Sequence, residues 1–119
     1  GIPVGFATNS HMLGPIDTGV LDPDTGDRHM TAILDSLARV SYFKKFKSRE
    51  LLKLLVTRFS WGTEIIVVTP EVSEELIGDL QSLNNIKTTV ISLSKSDVDV
   101  PSNINLYYYR QEGVHYEAI

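Results

Sequence analysis

Residues 62–94, GTEIIVVTPEVSEELIGDLQSLNNIKTTVISLS, read as one strand, one helix and a second strand. Thr63 to Val68 shows no polar alternation after Glu64, the pattern of a central strand covered on both faces. From about Ser73 to Leu83, the residues Leu76, Ile77, Leu80 and Leu83 recur at helical spacing and should point inward. Glu74, Glu75, Asp79 and Gln81 then fall toward solvent or the helix start, Asn84-Asn85 closes the helix, and Lys87 to Leu93 forms the next strand. Ligands of open parallel sheets sit at the carboxyl ends of the strands, yet the first strand here runs into Thr69-Pro70-Glu71. That is neither a glycine cradle nor a metal-binding carboxylate, so the unit reads as a scaffold without an obvious reaction.

Upstream, Ile2 to Thr8 is a short apolar strand followed by a long polar stretch in which Ile16 and Val20-Leu21 could anchor an edge strand. Asp27 is placed to cap a helix whose apolar face is Met30, Ile33, Leu34, Leu37 and Ala38, reaching about Val40. Ser48 is placed to cap a second helix with Leu51, Leu52, Leu55, Val56 and Phe59 inward, ended by Trp61-Gly62. Downstream, Ile104 to Arg110 reads as a final strand, on which Tyr107 and Tyr109 share a face opposite Tyr108. Helices alternating with strands predict a mainly parallel sheet of about four strands, in a three-layer α/β sandwich.

The chain has 119 residues, of which 42% are hydrophobic, enough for a single domain over 1–119 with one core. Fifteen acidic against eleven basic residues give a net charge of -4, so no global basic field recruits nucleic acid. The absence of cysteine removes disulfides, thiolate catalysis and cysteine-ligated zinc, and a cytoplasmic location is the default expectation. The apolar run Ile65 to Val68 falls far short of the roughly 20 residues that cross a bilayer, so this segment is not expected to insert. Beginning at Gly1-Ile2-Pro3-Val4, the chain reads as a piece of a longer protein.

Asp22, Asp24 and Asp27 have the spacing of an oxygen-ligand calcium loop, since hard cations take several carboxylates from one short loop. Gly26 comes one place early for that loop, however, and its twelfth position is Ile33 rather than glutamate, so turn formation and capping explain the same residues. His11, His29 and His115 are widely separated and read as surface residues rather than zinc ligands or a catalytic base. Tyr42, Phe43, Lys44, Lys45, Phe46 and Lys47, followed by Arg49, interleave aromatic and basic side chains. This patch suits a protein contact better than a polyanion, while the plainer reading is a helix connection whose lysines snorkel around an aromatic plug. Thr69 either caps the turn into Pro70 or faces a ligand in the crevice, and capping is the simpler role. No phosphate-binding loop, nucleophile elbow or dinucleotide-binding glycine turn is present.

Val4-Gly5-Phe6-Ala7-Thr8, Ile33-Leu34-Asp35-Ser36-Leu37-Ala38 and Gly62-Thr63-Glu64-Ile65-Ile66-Val67-Val68-Thr69-Pro70 together resemble the C-terminal part of a bacterial family, domain-of-unknown-function family 58. Its members are similar to von Willebrand factor A domains and are often encoded beside MoxR-type AAA+ ATPases. The resemblance implies a truncated von Willebrand A-like (Rossmann-like) domain that begins after the first strand and helix. Metal-binding members of the wider superfamily carry an Asp-x-Ser-x-Ser loop, absent here, and a Thr-Asp-Gly motif where this chain has Thr69-Pro70-Glu71. Proline cannot supply a side-chain ligand, so only Thr69 of that motif carries over. A missing strand between Ile2 to Thr8 and Thr63 to Val68 would leave strand edges to be closed by repacking or by association, as in a homodimer.

The expected role is a non-enzymatic, cofactor-free protein-interaction module working with an AAA+ ATPase in assembly or maturation, within a bacterial protein that is itself membrane-anchored. The alternative is a magnesium or small-ligand site at the strand carboxyl ends, built from Thr69 with Asp22, Asp24 and the loop from Asp17 to Asp27.

Overall fold

The computed structural model describes residues 1–13, 19–59, 62–83, 85–110 and 113–116, and within these the side chains of Tyr42 and of 113–116 are not described. The chain is mixed α/β and divides into two units, Gly1–Arg58 and Phe59–Ile119.

In the first unit, β1 (Val4–Ala7) pairs antiparallel with β3 (Val20–Asp24), and β2 (Ser10–Met12) pairs antiparallel with β4 (Val40–Lys44). The edge strand expected near Val20-Leu21 therefore exists, and it pairs with the strand expected over Ile2 to Thr8. Gly5 permits the approach of the two strands. A Cβ at that position would meet the Leu21 carbonyl oxygen at 2.9 Å and the Pro23 nitrogen at 3.1 Å, and the register shifts between Val4 and Phe6.

Helix α1 (Asp27–Arg39) starts after Gly26, whose φ of 95° puts the left-handed conformation at the N-cap, so Asp27 is the first helical residue rather than the cap. Ile33 is buried as expected, but Met30, Leu34 and Leu37 are exposed. The covered side of the helix is turned toward His29, whose Nε2–H donates to the Val4 carbonyl. Helix α2 (Ser48–Val56) begins at Ser48, so Ser48 is its first helical residue rather than its cap, and Lys47 at the N-cap position makes no side-chain capping bond. The helix is shorter than its apolar stripe suggested, with the Thr57 hydroxyl donating to the Leu54 carbonyl at its end. The expected helix connection over 42–47 is in part the strand β4.

In the second unit, β5 (Glu64–Thr69), β6 (Lys87–Ser92) and β7 (Ile104–Arg110) run parallel, and β8 (Gly113–Tyr116) adds antiparallel to β7. The sheet order is β5-β6-β7-β8, so among the described residues β5 is an edge strand and not the central strand its composition predicted. Helix α3 (Glu74–Gln81) opens on Ser73, whose side chain accepts from the Leu76 backbone N–H at 3.1 Å. Leu76, Ile77, Leu80 and Leu83 are all buried, as their spacing predicts, and join Val72, Val90, Val100, Ile104 and Leu106 in one core. Asp79 departs from its expected solvent-facing position and is only 7% exposed.

The parallel register sorts the sheet into two faces. Ile65, Val67, Thr88, Val90, Ser92, Ile104 and Leu106 lie on one, where Thr88, Val90 and Ser92 are fully buried. Ile66, Val68, Ile91, Tyr107 and Tyr109 lie on the other, which is open at the β5 edge, with Ile66 67% and Val68 66% exposed. Tyr107 and Tyr109 thus share a face, as alternation requires. Ile16, Asp17, Trp61, Asn84 and the side chains of Tyr42 and His115 carry sequence expectations that fall outside the described residues.

Candidate functional site

The carboxyl ends of β5 and β6 form the crevice where a parallel sheet of this kind accepts ligands. Hydroxyl groups there serve the backbone. Thr69 Oγ1 donates to the Glu71 carbonyl at 2.8 Å, closing the turn through Pro70. Ser92 Oγ donates to the Ser94 carbonyl at 2.7 Å. Two further bonds cross between the loops: Ser94 Oγ to the Pro70 carbonyl at 2.8 Å and Ser96 Oγ to the Val72 carbonyl at 3.1 Å. The Leu93 N–H adds a backbone bond to the Thr69 carbonyl at 3.0 Å. The loops at these strand ends are therefore laced together by short side-chain to backbone bonds, which use the hydroxyl hydrogens and leave the oxygen lone pairs uncommitted.

Asp22 and Asp24 stand on β3 in the first unit, whereas Thr69 belongs to the second. Asp22 Oδ1 accepts from Arg58 at 3.0 Å, and Asp24 Oδ1 accepts from the Thr25 N–H at 2.7 Å. Both carboxylates thus have local partners, an exposed ion pair for Asp22 and the N–H of the following residue for Asp24. Among the described residues, no group of three or more His, Cys, Asp or Glu side chains is close enough to hold a metal ion. A cleft of about 300 Å³ beside α3 is lined by Glu74, Gln81, Asp97 and Asp99 together with Ile77, Gly78 and Val98. Its carboxylates converge on no cation-binding geometry.

The aromatic and basic patch is more open. Phe43 is 71% exposed on β4, a strand that has only β2 as a partner among the described residues. Lys44, Lys45 and Lys47, which follow it in the chain, are exposed and Phe46 is half-buried, with strand alternation putting Lys44 on the face opposite Phe43. Lys45 is held at the strand end by its backbone N–H, which donates to the Asn9 carbonyl at 2.7 Å. The pairing of Ser10 with Lys44 and of Met12 with Val40 fixes which residues reach the surface. An exposed apolar ring can seat an apolar side chain, and the exposed lysines that follow it in the chain can attract an acidic neighbour.

A second cationic feature surrounds Tyr108, with Lys95 Nζ 5.9 Å and Arg110 Cζ 5.1 Å from the ring centroid and an Arg110 guanidinium hydrogen bond to its hydroxyl at 3.0 Å. Cation–π contacts of this length tie the end of β7 to the loop after β6. The triple tyrosine flagged the strand but not this arrangement.

No family model, curated protein or solved structure matches the chain. No described helix is long and apolar enough to cross a membrane.

Proposed function

We propose that the chain is a non-enzymatic protein-interaction module. The observation that carries this reading is Phe43, a large apolar ring 71% exposed on β4 beside exposed Lys44, Lys45 and Lys47. Exposed aromatic surface rimmed by charge is characteristic of sites that a partner covers. By the resemblance to domain-of-unknown-function family 58, the partner is a MoxR-type AAA+ ATPase that acts in assembly or maturation. The module then serves on the cytoplasmic side, as part of a membrane-anchored bacterial parent.

On the same resemblance the domain is von Willebrand A-like, a three-layer sandwich with helices on both faces of the sheet. In that arrangement a further layer would cover Ile66, Val68 and Tyr109, which are exposed in this chain. Exposed strand edges also offer a route to a homodimer.

The test is a binding isotherm between the purified chain and a purified MoxR-type ATPase. The reading expects saturable binding, weakened about tenfold or more when Phe43→Ser removes the anchor, with the far-UV circular dichroism unchanged. Absence of saturable binding, or binding indifferent to Phe43→Ser, would overturn it.

A further inference from the structure

We propose that the outer edge of β5 is a self-recognition site, where a second copy of the chain pairs antiparallel about Val67 and joins two sheets into one. This deepens the interaction reading above and uses a surface separate from Phe43.

The bond from the Leu93 N–H to the Thr69 carbonyl shows that the backbone groups of Thr69 point toward β6. Backbone direction alternates along a strand, so Ile65 and Val67 also face β6, whereas Ile66 and Val68 turn their N–H and C=O groups to the outer edge. No strand takes them up among the described residues. The same two residues carry the most exposed apolar side chains of the sheet. An edge usually escapes pairing through charge, proline or a bulge. From Ile65 to Thr69 β5 has no charge or proline, and its register with β6 is unbroken.

The pattern is self-complementary. With Val67 opposite its own copy, Ile66 of each chain lies opposite Val68 of the other. Both residues point their backbone outward, so each such pair exchanges two N–H to C=O bonds, one pair on either side of the two-fold axis. Their side chains meet on the open face, β-branched against β-branched. Glu64, the one charged residue of the strand, already sits 3.7 Å from Lys87 of its own chain. In this register it falls opposite Pro70 of the second copy, and the two Glu64 side chains stand about 20 Å apart along the ladder. Pro70 has no N–H, so the ladder ends there. Sliding by two residues would place the Glu64 carboxylate against Val68, which disfavours that register.

Because the chain lacks cysteine, one substitution reads the register. Non-hydrogen-bonded antiparallel partners have Cα atoms about 4.5 Å apart, within the range a disulfide spans. Under mild oxidation the full chain carrying Val67→Cys should become a covalent dimer in most molecules. The control Leu93→Cys, at an exposed position after β6, should not. Sedimentation equilibrium of the unmodified chain gives the second measurement: a monomer–dimer equilibrium, weakened about tenfold or more by Ile66→Lys, which sets a charge on the paired edge. A monomer up to millimolar concentration, or Val67→Cys cross-linking no better than Leu93→Cys, would overturn the pairing. Neither of those results touches ATPase binding at Phe43, whose own isotherm decides the interaction reading.

Discussion

Ser94 donates its Oγ hydrogen to the carbonyl oxygen of Pro70 at 2.8 Å, tying the loop after β6 to the loop after β5. With the Ser96 to Val72 and Thr69 to Glu71 bonds, it uses the hydroxyl hydrogens at the strand ends to hold the loops together. The crevice behaves as a structural joint. Ser94→Ala should therefore lower stability by about 1 kcal/mol in denaturant unfolding, the ordinary net worth of such a bond.

Magnesium is tested separately, because among the described residues no group of three or more His, Cys, Asp or Glu side chains could hold a metal ion. A native-state ligand raises the melting temperature, so a site built from Thr69, Asp22 and Asp24 would show stabilisation with added ion. Differential scanning calorimetry with and without millimolar magnesium should give the same melting temperature. A rise that Thr69→Val abolishes would establish the metal alternative instead.

The two faces of the sheet predict contrasting truncations. Leu80, 2% exposed on α3, fills the covered side, and Leu80→Ala should cost about 2–5 kcal/mol through lost burial and the cavity left behind. Ile66, 67% exposed on the other face, should cost no more than about 0.5 kcal/mol as Ile66→Ala, measured at concentrations too low for association.

Gly5 offers a sharper backbone test. Any Cβ there would lie 2.9 Å from the Leu21 carbonyl, inside van der Waals contact with main chain that cannot swing away. Gly5→Ala should destabilise by about 1–3 kcal/mol, as overpacking does, and the loss should appear in the amide protection of β1 and β3.

What was legible in the sequence follows from which signals are local. The Leu76, Ile77, Leu80 and Leu83 spacing identifies α3 and its buried face, since it depends only on helical periodicity. The position of β5 was not legible: a run of Ile and Val looks alike in the middle of a sheet and at its rim, and only strand order distinguishes them. The strands β2, β4 and β8, of three to five residues each, are too short for a period to emerge, and the Lys-rich aromatic composition of β4 masked it as a helix connection. On α1 the Met30, Leu34 and Leu37 stripe correctly signalled an amphipathic helix, but the covered side is rotated toward His29 and Ile33. At the candidate site, composition alone drew attention to Phe43 and its lysines. The turn role of Thr69 was legible as capping beside Pro70, whereas the pairing of Asp22 with Arg58, 36 residues away, needed the fold.

The most direct test of the interaction reading is an amide-resolved NMR titration of the isotopically labelled chain with a purified MoxR-type AAA+ ATPase. The account predicts shifts or broadening concentrated at Phe43, Lys44, Lys45, Phe46 and Lys47, lost in Phe43→Ser while the rest of the spectrum keeps its dispersion. Amides of residues 43–47 that stay unmoved at saturating ATPase would contradict it.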